Sequence, residues 1–147
     1  MGDPTPTQVA AALTGVALVV VGILGLVPGV TTHYGDLSFA GHDSGAKLLG
    51  TFQVSIVQNL VQLLFGVVGL VLARTAEGAR RFLTGGGIVY LALWVLGVVG
   101  AGDWLPTNTA DNWLHFLLGI GMIGLGYVAA RSQARTVTVQ DGAAPFL

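Results

Sequence analysis

The sequence predicts an all-α membrane protein with four transmembrane helices in an up-down bundle. Three observations predict it. Four segments, 9–27, 48–73, 82–101 and 111–130, are apolar and almost uncharged. Each meets or nearly meets the roughly 20 residues a helix needs to cross the hydrocarbon core. The chain is 53% hydrophobic and only 9% charged, whereas a soluble domain carries about 25% charged residues. Finally, Arg74, Arg80, Arg81, Arg131 and Arg135 lie on one side of these segments and Lys47 alone on the other. By the positive-inside rule this places both termini in the cytoplasm of a multi-pass plasma-membrane protein.

The helices are expected at about 7–29, 48–73, 82–101 and 109–130, in one domain over 1–135, with a flexible cytoplasmic tail at 136–147. The first opens on Thr5-Pro6-Thr7-Gln8, which supplies a Thr N-cap, Pro at the first helical position and Gln to close a capping box. No Lys or Arg occurs in residues 1–20, so the segment lacks a signal peptide's basic start and reads as a retained helix. The second ends at Ala73, before the Arg-rich loop. Gly85-Gly86-Gly87 opens the third and permits a very close crossing or a bend. Asn108 can cap the fourth, with Asp111 at the third position in the favourable end of the helix dipole. Four acidic residues (Asp36, Asp43, Asp103 and Asp111) fall on the outer side, where Trp104 and Trp113 flank the second outer loop as an aromatic belt would.

One pattern occurs twice. Asn59-Leu-Val-Gln62-Leu-Leu-Phe-Gly66 matches Asn112-Trp-Leu-His115-Phe-Leu-Leu-Gly119. Helices two and four cross in the same direction, so the pattern raises the reading of two parallel helical-hairpin repeats. On helix two, Asn59, Gln62, Gly66, Gly69 and Ala73 form a heptad seam; on helix four, Asn112, His115, Gly119, Met122 and Gly126 do the same. Small residues allow close approach in lipid and amides or imidazoles hydrogen-bond across, so both seams are expected to face the interior and each other. At ~1.5 Å per residue, Asn59 and His115 stand roughly 21 and 22 Å from the cytoplasmic edge. Gln58, Asn59, Gln62, Asn112 and His115 are therefore the candidate ligand-binding cluster, in the outer leaflet. The alternative for the same five residues is interhelical hydrogen bonding with no ligand.

Several chemistries find no support. The chain has no cysteine, which excludes disulfides, thiolate metal sites and covalent c-type haem. His115 is the sole histidine within an expected helix, so bis-histidine haem lacks its second ligand; no metal site and no cofactor are expected. Asp111, at i−4, can hold one tautomer of His115. His33, Asp36, His42 and Asp43 cluster in the first outer loop, but their spacing matches no zinc motif, and Gly35, Gly41 and Gly45 suggest a flexible, solvated loop. Net charge is near zero, so no nucleic-acid partner is expected.

The run Leu105-Pro-Thr-Asn-Thr-Ala-Asp-Asn-Trp-Leu-His-Phe-Leu-Leu-Gly119 resembles the signature of the domain of unknown function 4383 family, uncharacterised and mainly actinobacterial membrane proteins. Residues 52–69 and the Arg-rich loop are similar to it too, and the resemblance covers roughly 8–131. It implies four helices and no established activity. Family members commonly read His-Asn-x-x-His in helix two, where this chain has Gln58-Asn59-Leu60-Val61-Gln62; only the position of His115 keeps its histidine.

The residues thus point to a non-enzymatic structural or accessory subunit, embedded in the lipid bilayer and packing through small-residue helix faces against a second copy or a larger membrane complex. A binder or carrier of a lipid or small amphipathic ligand is the alternative. A membrane enzyme or redox subunit has only His115 with Asp111 to offer, and no catalytic residue is assigned.

Overall fold

Helix α1 (Pro6–Leu24) begins where its local chemistry says it should. The Thr5 hydroxyl accepts from the Gln8 N–H, the Gln8 side chain accepts from the Thr5 N–H, and Pro6 occupies the first turn. Gln8 also donates from Nε2 to the carbonyl of Arg74 at 2.9 Å, tying the start of α1 to the end of the second helix. A computed structural model describes residues 3–41, 43–100 and 108–142, with side chains up to residue 131. His42, the 101–107 stretch with Trp104, and 143–147 lie outside the described residues.

After α1 the chain forms more than the loop expected there. It folds into strands β1 (Thr31–Thr32), β2 (Lys47–Leu48) and β3 (Phe52–Gln53), joined antiparallel in the order β1-β2-β3, with a 3-10 turn at Tyr34–Asp36. Thr31 pairs with Leu48, and Leu48 with Phe52. Ala46, Leu48 and Val54 are buried, with Val21 and Leu24 of α1 packed against them. The apolar run that seemed to start a helix at residue 48 is therefore strand and turn. Leu49 and Gly50 both take positive φ, and the Thr51 N–H closes the turn onto the Leu48 carbonyl. Two left-handed residues in succession make a hairpin turn of the primed type.

Helix α2 (Ile56–Leu72) starts only after this sheet, capped by the Ser55 hydroxyl. Helix α3 (Ala76–Val98) starts earlier than expected: Thr75 caps it, and Arg80 and Arg81 lie exposed within its first turns, where Arg81 pairs with Glu77. It runs unbroken through Gly85-Gly86-Gly87. Helix α4 (Thr109–Gly142) continues through most of the stretch expected as a tail. Pro6–Leu24, Ala76–Val98 and Thr109–Arg131 are long and apolar enough to cross a membrane; α2 is apolar but shorter, at 17 residues.

Packing within α1–α2 and within α3–α4 is closest, and glycine makes it so. A Cβ at Gly15 would stand 2.9 Å from the Gly66 carbonyl oxygen, and one at Gly66 would stand 2.7 Å from that of Gly15. Gly87 and Gly119 repeat the relation, at 2.7 and 3.0 Å. In each pair the two backbones touch, and the helices run antiparallel. The burial pattern repeats as well. Thr7, Ala11, Gly15 and Leu18 are buried along α1, and Ala79, Leu83, Gly87 and Tyr90 along α3, with the same spacing. Between the two hairpins α1 packs against both α3 and α4, and Phe65 of α2 meets Phe82 and Tyr90 of α3 at ring separations of 5.3 and 5.8 Å.

Candidate functional site

The sheet end of the molecule is closed by a reciprocal cap. The Asn108 side-chain oxygen accepts from the Asp111 N–H, and the Asp111 carboxylate accepts from the Asn108 N–H, each at 3.0 Å. The same carboxylate oxygen accepts the backbone N–H of Gln53 in β3, also at 3.0 Å, and Asn108 Nδ2 donates to the Thr51 carbonyl at 2.7 Å. The start of α4 is thereby fastened to the strand that leads, three residues later, into α2. Gln58 and Asn59 of α2 and Asn112 of α4 consequently lie in the first turn or so beneath one sheet, with His115 one turn deeper.

Asn59 and Asn112 occupy equivalent seats. The Asn59 amide lies where a Cβ of Gly25 would be, with Oδ1 2.1 Å from that point, and Asn112 Oδ1 lies 1.9 Å from the corresponding point at Gly97. Each asparagine thus fills a notch in the helix that precedes it. Asn59 is 1% exposed; Gln58, Gln62, Asn112 and His115 are half-buried. The expectation that the α2 and α4 seams face each other needs correction. Asn59 and Gly66 face α1, whereas Gly69 packs on Phe82 of α3; Gly119 and Asn112 face α3. Among the described residues backbone contact at glycine occurs only within each hairpin, and it decides which helices pair. No hydrogen bond joins Asn59 to Asn112 or His115 among the described residues.

His115 packs against the Tyr90 ring at 5.7 Å, and Tyr90 against Phe65, so aromatic rings span α2, α3 and α4 just beneath the amides. Gln58, Gln62 and Phe65 follow one another at helical spacing and share the side of α2 that meets α3. Gln58 Oε1, Asn59 Nδ2, Asn112 Oδ1 and His115 Nδ1 are buried and have no hydrogen-bond partner. A buried polar atom left so costs about 1–3 kcal/mol relative to one that is paired. Sequence reasoning missed the role of Gln53 and of the two seat glycines, Gly25 and Gly97. Only a folded connection reveals the first, and the equal glycine spacing in α1 and α3 was the available signal for the second. Among the described residues no group of three or more His, Asp or Glu could hold a metal ion, and His42 of the loop cluster lies outside them.

The family described as domain of unknown function DUF4383 matches residues 8–128. The chain belongs to that family. The match takes in α1, the sheet, α2, α3 and the apolar part of α4, so the clasp and all five polar residues fall within it. No curated protein and no solved structure matches the chain.

Proposed function

We propose that this member of the family is a non-enzymatic integral membrane protein that binds a small amphipathic ligand beneath its sheet. Four buried polar atoms without partners, contributed by two helices below one clasped sheet, carry this reading. Interhelical glue would leave amides bonded to one another, and no bond joins Asn59 to Asn112 or His115. Membrane insertion as an up-down bundle of two parallel hairpins is supported by the outward apolar surface. Leu13, Leu64 and Leu117 are each about two-thirds exposed, at 66, 67 and 64%. A helix that is apolar on its outer as well as its inner face suits lipid rather than water. Trp113, 60% exposed near the start of α4, is the kind of side chain that favours a membrane interface. The arginines favour a plasma-membrane orientation with both termini cytoplasmic and the sheet outside.

The reading is tested by mass spectrometry of small molecules that co-purify with the wild-type chain and with His115→Gln. A species retained by the first and lost from the folded second supports it; identical profiles overturn it.

A structural or accessory role has its own supporting observation. Gly121 and Gly124 of α4 are open, with nothing near the place a Cβ would take, and they lie between the exposed Leu117 and Val128. That face suits close packing against another membrane helix. Cross-linking from Gly121→Cys to a second copy, or to another membrane protein, tests it.

A further inference from the structure

We infer that the sheet lies in the headgroup layer of the outer leaflet rather than clear of the membrane, with Phe39 and Leu49 inserted into lipid. The inference rests on the membrane-spanning reading above and adds a contact surface for the sheet. Length is the first observation. Helix α2 has 17 residues, and at ~1.5 Å per residue it falls about 4–5 Å short of the hydrocarbon core. The inner end cannot make up the difference, because Ala73 is buried there and Arg74 and Glu77 are charged and exposed. The outer end has to meet it, through whatever is packed around the start of α2.

What lies there exposes apolar side chains. Phe39 is 72% exposed and Leu49 67%. The Phe39 carbonyl accepts the Val57 N–H at 3.0 Å, and the Ser38 carbonyl accepts the Ile56 N–H at 3.1 Å. Phe39 thus adjoins the outer end of a helix whose Leu60, Val61 and Leu64 are themselves exposed. Leu49 sits in the hairpin turn with φ 52, a left-handed conformation that suits glycine or asparagine better than leucine. Its side chain gains little inside the fold, and hydrocarbon outside the fold would offset that. The backbone is prepared for such a place. Irregular chain near the hydrocarbon needs its polar groups paired, and the strand ladder and the N–H groups of Leu49, Ile56 and Val57 are paired. Asp36 and Lys47 are exposed on the same segment; the headgroup layer accommodates them, whereas the core would not. Lys47 alternates with buried Leu48 in β2, which turns its ammonium away from α1 and towards lipid phosphate. A protein partner would also cover Phe39 and Leu49, but it would leave the shortfall of α2 unmet.

The test uses Phe39→Cys, Leu49→Cys and Leu64→Cys in the otherwise cysteine-free full chain, each labelled with a nitroxide and reconstituted in dioleoyl phosphatidylcholine vesicles. All three side chains are exposed, so the fold should survive, as circular dichroism checks. Electron paramagnetic resonance then compares access by oxygen, which concentrates in lipid, with access by a water-soluble nickel complex present on both sides. Labels at Phe39 and Leu49 should favour oxygen several-fold more than a nitroxide on free glutathione does, and less than the label at Leu64. Ratios at Phe39 and Leu49 equal to that of glutathione, with the Leu64 label in lipid, overturn the inference and leave the spanning helices in place. Low access to both reagents at Phe39 or Leu49 marks contact with a second copy and also overturns it. Nickel access at Leu64 equal to that of glutathione removes the membrane-spanning reading as well. The unaltered chain gives a second measurement: a phosphatidylcholine carrying a diazirine near its headgroup should mark Phe39 and Leu49 on photolysis. Marking confined to the helices overturns the inference.

Discussion

Asp111 and Gln53 lie 58 positions apart in the chain, yet the Asp111 carboxylate accepts the Gln53 backbone N–H at 3.0 Å. Asp111 is 2% exposed, and the oxygen that holds Gln53 also holds the Asn108 N–H. One side chain therefore caps α4 and fastens α4 to the sheet. It is the contact that sets Asn112 and His115 beneath the same cover as Gln58 and Asn59.

Replacing Asp111 by Ala should leave two N–H groups without an acceptor, at about 1–3 kcal/mol for each that stays buried. The expected results are a lower melting temperature and faster amide exchange at Gln53, with exchange in the middle of α1 unchanged. Asp111→Asn keeps an acceptor oxygen and should cost less. Unchanged exchange at Gln53 in the alanine variant would mean that the clasp does not hold the sheet.

Gly66 and Gly121 should respond oppositely to alanine. At Gly66 the new methyl meets the Gly15 carbonyl oxygen at 2.7 Å, a backbone atom that cannot swing aside. Overpacking of this kind costs about 1–3 kcal/mol. At Gly121 nothing lies within 4 Å, and alanine should be neutral or slightly stabilising. Thermal melting of the two variants in one detergent reads both; equal effects would remove the close contact from the account.

Asn59→Leu and Asn112→Leu should be additive in the absence of added lipid. The two amides sit on Gly25 and Gly97, in different hairpins, and share no hydrogen bond. Distant, independent sites add within about 0.5 kcal/mol. A double-mutant cycle giving a larger coupling would show that they belong to one network after all.

Orientation can be read with thiols, since the natural chain has none. Ala40→Cys, on the sheet side, should react with an impermeant reagent on intact cells, and Ala76→Cys, at the Arg end, should react only after permeabilisation. Both positions are exposed in the fold, so burial does not confound the comparison. The reverse labelling would invert the proposed topology.

Much of the helical content was legible because its signals are local. Thr5-Pro6-Thr7-Gln8 states the start of α1 within four residues, and apolar length marks the bodies of α1, α3 and α4. The sheet was not legible. From Leu48 onward the run carries no charge and reads as the start of α2, and what makes it strand and turn is the left-handed pair Leu49-Gly50 together with a floor built from Val21 and Leu24. The polar residues of the site were visible as residues of the wrong kind for an apolar helix. Their neighbours were not, because periodicity gives the face of a helix and not the identity of what lies opposite. Asn59 and Gly69 share the predicted seam of α2, yet one rests on α1 and the other on Phe82.

Gly15 and Gly25 are separated by the same interval as Gly87 and Gly97, and Asn59 and Gly66 by the same interval as Asn112 and Gly119. Each hairpin is thus pinned at two points, like a ruler held against a second ruler by two pegs, and cannot slide by a residue without losing both. The connections between the pinned helices differ greatly, a folded sheet in the first hairpin and a much shorter stretch in the second. The same two-point pinning within a hairpin is thus reached with two very different connections. One frame is kept in register beneath a folded sheet and the other beside a short connection.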